Sequence, residues 1–453
     1  MNSANFSNAE WAWQPWQPTA EDPWSKQKAA HLLRRATFGA AQNQLQAATK
    51  STPNQVVKKL LEDCTESAEY QQQMQALLSA ALATGNSKQL AAWWVYRMLT
   101  TPAALLEKMT LFWHGHFATS AEKVEDADLM NAQNQLLRKH ALGCFPDLLV
   151  EISQDPAMLI YLDSASNRKA HPNENYAREI MELFCLGEGN YTEADIRELA
   201  RCFTGWEVKR QKFRFNRYQH DNESKTVLGQ TGKFGGEQAV TIVASQPQAA
   251  VFIARKLVRF FVMDEPFATD ELVEPLAQQL IENGFIIGPV VQTILTSNLF
   301  YSQQAMARKI RSPVEFAIGF ASCLNASTNN FTLASRLEEL GQGLFYPPSV
   351  KGWDGGRTWI NSSTLLGRSN LIQELLTSDK SRFNKLPLAD FLNNEGITNC
   401  DDLIDYFENL LFAIHIPSAA KDRIRKLAQS ASQSESFETA IQALCTLPEF
   451  QLC

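Results

Sequence analysis

Breakers are scarce in this chain: 21 glycines and 18 prolines in 453 residues, below the usual share of about 12%, which favours long helices. The eight cysteines (Cys64, Cys144, Cys185, Cys202, Cys323, Cys400, Cys445, Cys453) contain no C-x-x-C pair, so neither a zinc cluster nor a disulfide framework is signalled. Several lie in apolar helical runs such as Glu182-Leu183-Phe184-Cys185-Leu186, the setting of buried, reduced thiols in a cytosolic protein. No window approaches 18 uninterrupted apolar residues, which predicts no membrane span. A basic segment followed by an apolar one is missing at the N-terminus, so the chain reads as soluble and cytoplasmic. Charge is also balanced: 42 Lys and Arg against 49 Asp and Glu, net -7, with 45% hydrophobic residues. That excludes a disordered chain, a supercharged nucleic-acid wrapper and a disulfide miniprotein.

What is present is helical rhythm. Apolar residues recur at i, i+3 and i+4 with polar or Gly stops over 25–37, 53–62, 69–83, 87–99 and 102–114. Thr192 followed by Asp195 has the capping-box layout ahead of a helix over 193–203. Before residue 25, Trp11, Trp13, Trp16 and Trp24 sit among prolines and polar residues, an arm pinned by its indoles with no regular helix. The rhythm breaks over 205–236, where Phe213 and Phe215 alternate with basic residues and predict a β-ribbon. It breaks again over 346–361, rich in Pro, Gly and Trp. The expected fold is mainly α: a Trp-rich arm (1–24), a multi-helical body (25–377) with a small inserted β-ribbon, and a small helical C-terminal subdomain (378–453).

Chemistry concentrates at a few places. In Asn173-Glu174-Asn175-Tyr176-Ala177-Arg178-Glu179-Ile180-Met181-Glu182, about 100° per residue puts Asn175, Glu179 and Glu182 within a roughly 60° arc. Paired carboxylates bind a divalent cation or act as acid and base; the alternative is a salt-bridged face, with Arg178 among the candidate partners. Trp113-His114-Gly115-His116-Phe117 ends a helix, with Gly115 as expected terminator. A divalent metal there requires His114 and His116 to meet Glu179, Glu182 or Asp163; otherwise the imidazoles sit at the negative end of a helix dipole. Asp163, His220 and Asp221 read as catalytic candidates or as turn residues.

The ribbon carries seven basic residues against three acidic ones. That suits a polyanion, or an inward-packed strand whose charges face water. Lys351-Gly352-Trp353-Asp354-Gly355-Gly356-Arg357-Thr358-Trp359-Ile360-Asn361 feeds a helix N-terminus. There Trp353, Arg357, Trp359 and Asn361, with Asn175 and Lys225, are candidate substrate-binding residues for an anionic or glycan-like compound. G-x-S-x-G, H-E-x-x-H, G-x-G-x-x-G, Walker and kinase motifs are missing.

In order along the chain come His31-Leu32-Leu33-Arg34-Arg35-Ala36-Thr37-Phe38-Gly39, Trp113-His114-Gly115-His116-Phe117, Asn173 through Glu182, Phe203-Thr204-Gly205-Trp206, His220-Asp221 with Lys225, Gly352-Trp353 through Asn361, and Leu447-Pro448-Glu449-Phe450. This series resembles the bacterial domain of unknown function 1800 family over nearly the whole chain. The resemblance brings no established reaction. It implies a gene neighbour of the domain of unknown function 1501 family, similar to sulfatases or phosphatases, as a candidate partner; many relatives carry export signals. Two functions are expected from residues and resemblance together. One is hydrolysis or group transfer on an anionic or glycan-like substrate, in a polar cleft walled by Glu179, Glu182, Asp163, His220, Asp221, His114 and His116. The other is a non-catalytic partner or maturation factor for that neighbour.

Overall fold

A computed structural model describes residues 8–63, 65–432 and 435–453; Cys64 lies outside them. Twenty-four α-helices and three two-stranded antiparallel ribbons form the regular structure among these residues. The chain is mainly α, as the scarcity of breakers predicts. Helix Pro53–Glu62 begins behind a Thr52–Gln55 capping box, and Glu193–Cys202 behind the Thr192–Asp195 box. One expectation needs correction. The Trp-rich arm does form a helix, Ala9–Trp13, because the Asn8 side chain accepts from the Trp11 amide and caps it. Its indoles fasten it: Trp13 Nε1 donates to the Leu272 carbonyl at 2.6 Å and Trp24 Nε1 to that of Ala48 at 3.2 Å.

The insertion over 205–236 is a pair of hairpins. Trp206–Lys209 pairs with Lys212–Phe215, and Lys225–Val227 with Gln230–Gly232. Phe213 packs edge-on against Trp206, with centroids 5.4 Å apart, whereas Phe215 is 50% exposed. The aromatics are therefore only partly drawn inward. The third ribbon, Ala326–Ser327 with Arg382–Phe383, is too short to leave a period in the sequence.

One hydrophobic cluster runs from Ala12 and Trp13 through Trp94, Trp113, Phe261 and Phe316 to Phe407 and Phe450. Helix Ala104–His116 crosses it and carries charge inside. Glu107 is fully buried, accepting from Trp94 Nε1 at 2.8 Å, Arg97 Nε at 2.6 Å and Arg138 Nε at 2.5 Å. Burial alone would raise its carboxyl; Arg138 and Arg97 override this and hold it at about 2. Glu315 takes Lys108 at 2.7 Å and Lys309 at 2.7 Å. Among the described residues no helix is long and apolar enough to cross a membrane.

Candidate functional site

The segment bearing the paired carboxylates starts as a short α-helix, Asn175–Glu179, and widens into a π-helix, Ile180–Cys185. Its apolar side chains anchor it: Tyr176, Ile180 and Phe184 are buried. Burial and then the Glu182 charge push the Glu179 carboxyl up, with Arg178 opposing. Glu182 accepts from Tyr191 OH at 3.0 Å. Arg178 turns instead to Glu193 at 2.9 Å and Glu174 at 3.7 Å. Asn175 is exposed, its amide donating to Asn173 Oδ1 at 2.9 Å.

Gly115 does not end its helix, which runs through to His116, so the two imidazoles diverge. His114 Nε2 accepts the Phe345 amide at 3.1 Å, and its ring lies among Trp94, Phe345 and Trp353 at 5.0, 5.2 and 5.7 Å. Burial lowers it to about 3. His116 Nε2 donates to the Phe184 carbonyl at 2.9 Å, leaving Nδ1 to accept from Lys256 Nζ at 3.0 Å. Every polar atom of His116 is thus engaged. Among the described residues no group of three or more His, Cys, Asp or Glu side chains is placed to hold a metal ion. The expected set of His114, His116, Glu179 and Glu182 does not assemble, because each ring is turned into its own aromatic nest.

The other expected cleft residues are each held by partners of their own. Asp163 has positive φ and a largely exposed side chain paired with Lys123 at 2.8 Å. His220 is buried and donates from Nδ1 to the Thr204 carbonyl at 2.7 Å. Asp221 accepts from Arg201 Nε at 2.8 Å and from the Glu223 amide at 2.9 Å. Lys225 is buried with its ammonium on the carbonyls of Asp221, Glu223 and Phe234 at 2.5, 3.2 and 3.0 Å. No donor of Lys225 is left for a substrate; the ribbon is tied to helix Glu193–Cys202 instead by the Asp221–Arg201 pair and by the Thr226 amide donating to Glu198 at 2.8 Å.

Convergence occurs at the Gly/Trp loop. A Cβ at Gly352, whose φ is +78°, would lie 2.3 Å from the Gly115 carbonyl, so glycine lets the loop seat directly on the end of the histidine helix. The loop then walls an open hollow of about 250 Å³, lined by Trp353, Asp354, Trp359 and Asn361 together with Glu339 and Pro348. Asn361 caps helix Ser362–Thr377, its Oδ1 accepting the Thr364 amide at 2.9 Å. Trp353 faces the hollow while its ring also lies 5.7 Å from His114. Arg357 does not join: it is 80% exposed and pairs with Glu265 at 2.6 Å.

Sequence reasoning missed Glu339, which is one of many acidic residues on helix surfaces. It also missed Lys256, whose imidazole partner lies 140 positions away and which leaves no local signal. A mainly helical protein with a polar, tryptophan-walled hollow beneath a Gly-rich loop is the class these features define. The chain belongs to the family described as protein of unknown function (DUF1800), whose model matches residues 31–452. No curated protein and no solved structure matches the chain.

Proposed function

We propose that the hollow under the Gly/Trp loop binds an uncharged, glycan-like compound. The observation that carries this is the meeting of Trp353, Trp359 and Asn361 with two acidic residues, Asp354 and Glu339, on one hollow whose lining holds no Lys or Arg. Indole faces pack against the apolar faces of a sugar ring, and amide and carboxylate groups accept or donate to its hydroxyls. About 250 Å³ is below the roughly 300–1,000 Å³ of drug-sized sites, which suits one ring of such a compound. An anion is disfavoured, because Arg357 and Lys225 are engaged elsewhere. Asp354 and Glu339 are the carboxylates on the hollow, the latter paired with Arg336 at 2.7 Å and the former more loosely with Lys351 at 3.9 Å, and they are the groups that would serve hydrolysis or group transfer at a glycosidic bond.

Calorimetric titration with neutral oligosaccharides and with the same sugars phosphorylated tests this reading. Binding of the neutral set, lost by about tenfold or more in Trp353→Ala, supports it; preference for the phosphorylated set overturns it. The partner reading draws on a different observation, the enclosure of the family's polar motifs in internal networks such as Lys225 on its three carbonyls. Co-elution with the domain of unknown function 1501 neighbour, in the absence of any sugar binding, would favour it.

A further inference from the structure

Lys256 lies one turn before Arg259 on helix Pro247–Phe261. Its Nζ is 3.0 Å from His116 Nδ1 and stands 4.9 Å over the Phe252 ring. Among the described residues no Asp or Glu comes within ion-pair distance of Lys256 or Arg259. The histidine cannot act as a counter-ion, since its Nε2 proton is held by the Phe184 carbonyl at the end of the π-helix. Widened turns of this kind recur at functional sites. The charged side chains that act on the amine are Arg259, which donates to the Asp354 carbonyl, and Lys351, which precedes the glycine seated on Gly115; the Asp354 Oδ1 lies 3.9 Å from Lys351 Nζ. The Lys256 side chain is only partly buried.

We propose that Lys256 is a covalent attachment site for carbonyl compounds that carry an anionic group. In the step, the Nζ lone pair adds to the carbonyl carbon and the C=O π bond opens to a carbinolamine. The carbonyl oxygen then leaves with the two amine protons as water, forming the C=N bond with no change of oxidation state. His116 holds the amine in place through its Nδ1, Arg259 and Lys351 attract the anionic group, and neither Trp353 nor the hollow beside it is required.

Burial, then Arg259 and Lys351, lower the Lys256 amine to about 8. Its neutral fraction near neutral pH therefore exceeds that of an ordinary lysine by about two orders of magnitude. Weaker intrinsic nucleophilicity at lower basicity takes back about one of these.

The test treats the intact chain at pH 7.5 with limiting glyoxylate and sodium cyanoborohydride, which reduces the imine and fixes a carboxymethyl group, and maps the labelled lysines by peptide mass spectrometry. Lys256 is expected to label roughly tenfold or more ahead of the exposed Lys50, Lys58 and Lys209. Acetaldehyde in place of glyoxylate should reduce that lead, and Arg259→Gln, which also removes a cation that lowers the Lys256 amine, should reduce it for both aldehydes and by more for glyoxylate. The Lys256→Arg chain should lose this label and keep the others. Labelling spread over the exposed lysines with Lys256 no faster overturns the proposal. An equal lead with both aldehydes overturns the anionic specificity.

Discussion

Lys108 and Lys256 are both drawn from solvent, yet the first is ion-paired to Glu315 at 2.7 Å and the second hydrogen-bonds only an imidazole at 3.0 Å. The same helix, Ala104–His116, serves both: Lys108 and Glu107 near its start, His116 at its end. At the start every buried charge faces an opposite one, so the network is closed and its work is to hold helices together. At the end Lys256 meets no carboxylate among the described residues, and the acidic groups of the neighbouring hollow are paired only at its exposed rim, Glu339 with Arg336 at 2.7 Å and Asp354 with Lys351 at 3.9 Å. Polar residues alone do not mark a site; what separates the two regions is whether their partners are already inside the protein.

That comparison breaks most directly at Glu107. Glu107→Gln leaves Arg97 and Arg138 buried without their anion and should cost about 3–5 kcal/mol in urea unfolding, whereas Lys256→Met should change stability by about 1 kcal/mol or less. A tolerated Glu107→Gln would show that the network is not closed. The carboxyl, held at about 2, stabilises the fold above its unfolded pKa. This contribution is lost as pH falls from about 4 toward 2, and the acid limb of the stability curve should therefore shift in the variant.

Asp155 sharpens the contrast from the other side. It is a buried carboxyl that accepts from Gln133 at 2.7 Å and the Met158 amide at 2.9 Å, with no cation in ion-pair distance among the described residues. Burial pushes it up to about 7, with those hydrogen bonds opposing. The folded state therefore keeps a proton that the unfolded state releases. Stability from this group is complete below about pH 4 and declines by up to about 4 kcal/mol as pH rises to about 7. Asp155→Asn, which retains an oxygen for both donors, should flatten that slope in thermal unfolding followed across pH. The smallest effect is expected at Arg357→Ala, where an exposed pair with Glu265 is lost. Stability should move by less than about 1 kcal/mol and sugar binding should not change.

Helix positions were legible because they depend on neighbours in sequence. Period and caps locate Pro53–Glu62 and Glu193–Cys202, and the ribbon follows from alternation at Phe213 and Phe215. The loop at 346–361 was marked by its composition, and three of its candidate residues, Trp353, Trp359 and Asn361, do share one hollow. The partners of His114, His116 and Lys225 were not legible. Each is set by tertiary packing: the Phe345 amide, the Phe184 carbonyl and the ribbon's own carbonyls take the donors and acceptors that spacing alone left open to a ligand. Gly115 misled because a lone glycine is tolerated inside a helix: a Cβ there would meet nothing, and the close approach to its carbonyl constrains Gly352 instead.

The most direct measurement is a side-by-side calorimetric titration of a neutral oligosaccharide into the unaltered chain, Trp353→Ala and Glu179→Gln. With binding on the loop, affinity is lost in Trp353→Ala and unchanged in Glu179→Gln. Loss in Glu179→Gln with Trp353→Ala unaffected would contradict it and return the function to the carboxylate helix.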